Sequence, residues 1–94
     1  MPQPTVSIVV PVHQAQAHIA ACIESLLAQD YPADKLEIII VDNASTDHTP
    51  EGIEQTSGQA SVPVRAVKEP RQGITYARNR AIAEACGLWI AFFD

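Results

Sequence analysis

Four short segments carry side chains that could do chemistry, and each follows a candidate strand. They are Pro11-Val12-His13-Gln14; Asp42 to Asp47, with Asn43, Ser45 and Thr46; Glu69 to Gly73, with Arg71 and Gln72; and Asp94 behind Phe92-Phe93. Solvated loops would carry scattered Lys and Glu. Clustered Asp, Asn, Ser and Thr make directed hydrogen bonds instead. Asp42 directly follows Ile38-Ile39-Ile40-Val41. A carboxylate there can accept bonds from a nucleoside, as the acidic residue after the second strand does in dinucleotide folds. It can equally start the loop as an Asx-turn. Asp47 precedes a helix and reads first as a cap or a partner for loop backbone. Arg78 lies about 40° from Ile74 on a helical projection, inside the stripe of Ile74, Ala77, Ala81 and Ala85. Arg80 falls on the opposite side and is expected in solvent. A guanidinium on the inward face needs an anionic or carbonyl partner; Asp42, Asp47 and a ligand all qualify. His13 sits where it could touch a ligand. His18 and His48 are expected to be exposed, and Cys22 and Cys86 to be buried reduced thiols. No His is spaced with a Cys or carboxylate as a metal site requires.

Strands alternating with helices must position these groups. Val6 to Val12 is β-branched and reads as a buried strand. Ile19, Cys22, Ile23, Leu26 and Leu27 then follow a helical period within His18 to Gln29, ended by Tyr31 and Pro32. Leu36 to Val41 is a second strand, with Ile38, Ile39, Ile40 and Val41 in sequence, an apolar run that suits a parallel strand covered on both faces. Thr49 as N-cap and Pro50 as first helical residue begin a second helix to about Thr56. Val62 to Val67 is a third strand, with Pro63 placing it away from the sheet centre. Glu69 to Gly73 is a turn. Ile74 to Cys86 is a third helix, closed by Gly87 as C-cap. Leu88 to Phe93 is a fourth strand. The order β-α-β-α-β-α-β implies right-handed crossovers and an open parallel α/β sheet. Ligands of such sheets bind beyond the carboxyl ends of the strands, where all the polar segments fall.

The chain has 94 residues, 47% hydrophobic and 18% charged, which suits one small folded domain. A net charge of −5 with six basic residues argues against nucleic acid as a partner. The apolar runs fall short of the roughly 18 residues of a membrane span. No basic region leads into an apolar stretch at the N-terminus, so no signal peptide is read. Two Cys make no disulfide framework. The expected setting is cytoplasmic, extending to the cytoplasmic face of a membrane. Residues 1–94 are expected to be a partial domain, because the sequence stops inside an apolar segment. Pro11 to Ala17 contains no glycine, which excludes glycine-rich phosphate loops. Phosphates would then need a divalent cation held by acidic residues.

The chain resembles the donor-binding half of a family 2 glycosyltransferase, the inverting group with the GT-A fold. The matching stretches are VSIVVPVHQ (6–14), ACIESLLAQ (21–29), LEIIIVDNASTD (36–47) and GITYARNRAIAEACGLWIAFFD (73–94). IVDNASTD and the Gly-x-x-x-Ala-Arg-Asn pattern at Gly73, Ala77, Arg78 and Asn79 are specific in combination. The resemblance implies that Pro11, Val12 and His13 cradle the nucleoside, Asp42 binds the base, commonly uracil, and Arg78 lies near base and ribose. Asp94 aligns with the first acidic residue of a D-x-D-type motif holding Mg²⁺ or Mn²⁺ against the donor diphosphate. The implied partners are a nucleotide-sugar, UDP-linked, and a sugar or lipid-linked acceptor. His13 and Gln14 replace the family's usual Tyr-Asn, and Asn43 stands where a second acidic residue is common. No general base can be assigned, so the chain alone is expected to be inactive.

Two other readings compete. A truncated transferase could persist as a non-catalytic nucleotide-binding or protein-interaction domain. A sugar nucleotidyltransferase shares the general fold but needs the glycine-rich loop that Pro11 to Ala17 lacks. An open, apolar fourth strand would invite self-association.

Overall fold

The computed structural model describes residues 5–28, 35–58 and 62–93. The β-branched runs become the two central strands, β1 (Val6–Val12) and β2 (Leu36–Asn43). The chain continues through α1 (Ile19–Leu27) between them, then α2 (Thr49–Ser57), β3 (Val64–Glu69), α3 (Ile74–Glu84) and β4 (Trp89–Phe92). All strands are parallel, in the order β3-β2-β1-β4. This is the expected α/β architecture, with the fourth strand beside the first. After β3 the chain crosses back past β1, so strand order reverses there.

Strand alternation sorts the core into two layers. Ile8, Val10, Ile38 and Ile40 pack against Ile19, Ile23 and Leu26 of α1 and Ile53 of α2. Val9, Ile39 and Val41 face the other way, onto Ala77 and Ala81 of α3. Every residue of β2 is buried, which explains the apolar run from Ile38 to Val41. The small side chains of Ala77 and Ala81 let α3 approach the sheet closely. Pro63 does precede an edge strand.

Several boundaries differ from the sequence reading. β3 runs over Val64–Glu69 rather than Val62–Val67, so Glu69 is a buried strand residue and not part of the turn. α2 starts at Thr49, with His48 in the cap position. Thr49 Oγ1 and N–H both donate to Asp47 Oδ1, so Asp47 supplies the cap expected of it. Tyr31 and Pro32 lie outside the described residues. Cys22 is half-buried, and burial raises its thiol pKa. Cys86 is exposed, against expectation, because α3 ends at Glu84.

Gly87 is no helix cap. Ala85 turns extended at φ −70°, ψ 134°, and Gly87 lies beyond it against β1. Its N–H donates to Ser7 Oγ at 2.8 Å, and the Ser7 hydroxyl donates to Glu37 Oε2 at 2.6 Å. The Cys86 N–H donates to the same carboxylate oxygen at 2.8 Å. Burial alone would raise the Glu37 pKa; the Ser7 and Cys86 bonds, with Arg65 nearby, hold it below the ordinary value. A Cβ on Gly87 would lie 2.7 Å from Ser7 N and 2.9 Å from Val6 C. Backbone atoms cannot yield as a side chain can. Gly87→Ala is therefore expected to lower stability by about 1–3 kcal/mol, the usual cost of overpacking. Urea denaturation would show it as a lower midpoint at unchanged slope.

Candidate functional site

The carboxyl edge of the sheet is built from the ends of β1, β2 and β3 and the start of α3. Two loops there hold each other. Ser45 Oγ accepts the Gln14 N–H at 3.0 Å, Thr49 Oγ1 accepts the Ala15 N–H at 2.8 Å, and Asp47 Oδ2 accepts the Gln16 N–H at 3.2 Å. In return, Gln14 Oε1 accepts the Thr46 N–H and Gln16 Oε1 accepts the His48 N–H. The Ser, Thr and Asp cluster after β2 thus locks the loop after β1. The Thr49 hydroxyl, chiefly, with backbone N–H groups, holds the Asp47 carboxyl below its ordinary pKa. Each loop turns at a left-handed non-glycine residue, Gln14 (φ 52°) and Ala44 (φ 56°). That conformation costs about 1–2 kcal/mol for an L residue, and the bonds between the loops offset it.

Across the crevice, Asn43 organises the turn after β3. Its Nδ2 donates to the carbonyls of Glu69 (3.1 Å) and Arg71 (2.7 Å), and its Oδ1 accepts the Gly73 N–H (2.9 Å). Gly73 has φ +143°, a region that favours glycine. Glu69 is 1% exposed. Its Oε2 accepts the N–H and Nε–H of Arg71 at 2.9 and 3.2 Å, and its Oε1 faces Arg80 Nε at 3.4 Å. The Arg71 side-chain and backbone bonds, helped by the Arg80 charge, lower the Glu69 pKa to about 2. Arg71 also lies 4.5 Å from the Tyr76 ring centroid.

Between these walls is a cavity of about 230 Å³ lined by Pro11, Val12, His13, Asn43, Gln72, Gly73 and Ile74. His13 Nδ1 is 2.5 Å from the Asn43 carbonyl oxygen, so it carries the proton and donates. In the neutral ring His13 Nε2 is then the acceptor, with Gln72 Nε2 at 3.5 Å.

Pro11, Val12 and His13 come together as expected, but Asp42 and Arg78 do not join them. Asp42 and Asn43 are consecutive in a strand and face opposite sides. Asp42 follows Ile38 and Ile40 to the α1/α2 side; Asn43 follows Ile39 and Val41 to the α3 side, where the cavity lies. The projection of α3 also needs correcting. The helix centres on Ala77 and Ala81, with Arg78 and Arg80 each about 80° to one side. Arg80 reaches Glu69 on β3. Arg78 is exposed and lies 5.7 Å from the Phe92 ring centroid on β4. Among the described residues neither Asp42 nor Asp47 pairs with it. Sequence reasoning named Glu69, Asn43 and Gln72 among the polar strand-end groups but gave none of them a role in the site. A two-residue shift in β3 hid Glu69, while Asn43 was legible from period-two alternation.

Asp94 lies outside the described residues. Among the described residues, no three His, Cys, Asp or Glu side chains converge to hold a metal ion. None of their helices is long and apolar enough to cross a membrane.

An open parallel sheet with a cavity of mixed polar and apolar lining at its carboxyl edge, near the reversal of strand order, is the form of a nucleotide-binding α/β domain. Residues 7–94 match the family described as glycosyl transferase family 2, and the chain belongs to that family. It is 34% identical over 91 residues to glycosyltransferase AglE of Haloferax volcanii, covering 97% of this chain and 30% of that protein. It is 30% identical over 88 residues to the poly(ribitol-phosphate) beta-N-acetylglucosaminyltransferase TarS of Staphylococcus aureus, covering 94% of this chain and 15% of TarS. The chain thus spans less than a third of either relative. A mannosyltransferase from Pyrobaculum calidifontis, solved with GDP-Man and Mn²⁺, superposes with TM-score 0.82 at 32% identity, over 90% of this chain and 25% of that one. S. aureus TarS 1–349 with UDP-GlcNAc superposes at 0.85 and 27% identity, over 96% and 26% respectively. The fold is that of the GT-A glycosyltransferases.

The Glu69 carboxylate should make stability pH-dependent. Its folded pKa, about 2, lies below the ordinary 4.5. The unfolded chain therefore binds the proton more readily, and the stabilisation is complete above about pH 5. It is expected to fall away between pH 4.5 and 2. Glu69→Gln should lose stability at neutral pH and show a shallower acid decline. Since Glu37 and Asp47 titrate in both chains, the difference between the two urea-denaturation pH profiles isolates Glu69.

Proposed function

We propose that this chain is the donor-binding portion of a glycosyltransferase that moves a sugar from a nucleotide-diphosphate sugar, UDP-linked, to an acceptor hydroxyl with inversion. The observation that carries this is the cavity of Pro11, Val12, His13, Asn43 and Gln72 at the carboxyl edge, in a fold shared with proteins solved with UDP-GlcNAc and GDP-Man. Its walls suit a planar nucleoside. Pro11 and Val12 offer apolar contact, and His13 Nε2 and the Gln72 amide offer an acceptor and a donor. Asn43, rather than Asp42, is the β2 residue that faces the base. Arg78 stands on the α3–β4 side, towards which the diphosphate would extend. Asp94 would hold Mg²⁺ or Mn²⁺, which neutralises charge on the departing diphosphate. The acceptor is a sugar or a lipid-linked glycan, and the setting is the cytoplasm or the cytoplasmic face of a membrane. The 94-residue chain binds donor nucleotide without transferring sugar, because the resemblance assigns none of its residues as general base.

Calorimetric titration with UDP and Mn²⁺ tests the pocket. Saturable binding is expected, with His13→Ala weakening it about tenfold, the worth of one buried hydrogen bond, and Asp42→Asn changing it about twofold at most. Absence of UDP binding to the folded chain would refute the donor reading.

One observation favours an interaction role as well. β4 is an edge strand exposed at every residue. Leu88 is 82% and Trp89 70% exposed, with Ile74 and Ile82 of α3 also exposed. Such an edge pairs readily with another chain. The 94-residue chain is therefore expected to self-associate through β4, seen in light scattering as mass rising with concentration. Trp89→Lys should restore the monomer.

A further inference from the structure

A groove of about 500 Å³ runs between α2 and the edge strand β3, on the face of the sheet opposite the His13 cavity. Asp42, Pro50 and Lys68 lie at one end; Ser57 and Val64 lie at the other. Val64, Ala66 and Lys68 are alternate residues of β3, so the groove is about 13 Å long at roughly 3.3 Å per strand residue. α2 covers this face only in part, leaving Ala66 and Lys68 exposed.

Among the described residues, the buried side-chain polar atoms without a hydrogen-bond partner are Asp42 Oδ1 and Ser57 Oγ. Both residues line this groove. A buried carboxylate oxygen without a donor is costly, and Asp42 is only 5% exposed. Its terminal torsion is broad and two-fold, so either oxygen can turn to a donor in the groove. Lys68 stands opposite Asp42 in the strand register but leaves that oxygen unpartnered. Glu51 and Glu54 add carboxylates along the rim, which leaves the lining net negative. Ala66, beside Val64, supplies an apolar middle, with the buried Ile53 beneath.

Polar acceptors at both ends, an apolar middle and excess negative charge describe the complement of one ligand class. We propose that this groove binds a linear aliphatic polyamine. One ammonium donates to the Asp42 carboxylate, the methylenes lie over Val64 and Ala66, and a second ammonium donates to Ser57 Oγ and Glu54. The site stands apart from the donor reading, because Asp42 and Asn43 face opposite sides of β2. Lys68 repels the ligand and tunes its affinity.

Titration of the 94-residue chain with spermidine tests this. Saturable one-to-one binding is expected. Asp42→Asn should weaken it about tenfold or more, as loss of a hydrogen bond to a charged group does. Glu24→Gln, an exposed charge on α1 away from the groove, should change it about twofold at most. Should Asp42→Asn fail to fold, Glu54→Gln on the exposed rim reads the same interaction and should also weaken binding. No saturable binding, equal weakening by groove and control variants, or a Glu54→Gln chain that binds like the parent would overturn the proposal.

Discussion

The crevice depends on the hydrogen bonds of Asn43. Its amide donates to the carbonyls of Glu69 at the end of β3 and Arg71 in the turn after it and accepts the N–H of Gly73, while its own carbonyl takes the His13 ring. One buried residue at the end of the central strand β2 thereby fixes the wall on either side. The geometry is demanding: each amide hydrogen has one partner, so the side chain has a single orientation. A carboxylate at this position could not donate to the Glu69 and Arg71 carbonyls. Asn in place of a second acid is therefore what allows this turn its present course.

Charge reinforces the same turn. Glu69 is almost fully enclosed, yet it stays ionised because Arg71 and Arg80 surround it. Both arginines are partly exposed, so the pair escapes the full desolvation cost of a buried ion pair. On the opposite wall, hydrogen bonds between the loops after β1 and β2, neutral except for the one to the Asp47 carboxylate, hold Gln14 and Ala44 in left-handed conformations. The two walls are thus stiffened by different means, and the rigid cavity between them belongs to the backbone as much as to side chains.

Strand alternation separates two chemistries that adjoin in sequence. Asp42 and Asn43 are neighbours in the chain, but the pleat sends one towards α2 and the other towards α3. The sheet therefore carries an amide-lined cavity on one face and an acidic groove on the other. Helix α3 divides charge in the same way. Its alanine face seats it on the sheet, and Arg78 and Arg80 diverge towards β4 and β3.

Much of the fold was legible in the residues. The β-branched runs, the helical period of α1, Pro63 and the alternation of elements are local signals, and a parallel sheet follows because covered strands must be apolar on both faces. The motif residues at strand ends were legible for the same reason. What sequence could not decide was direction. Helical projection put Arg78 inward because it weighed Ile74 as core, whereas the sheet surface accepted only the alanines. Spacing read Gly87 as a helix cap, but close approach to Ser7 and Val6 makes it a space-saving residue. The Ser, Thr and Asp cluster looked available for ligand and instead binds the neighbouring loop. The sequence by itself determined which elements form and which polar groups arrive at the carboxyl edge. Only the tertiary structure decided which of those groups bond to one another and which face a cavity, because that depends on register, pleat and the distance between loops far apart in the chain.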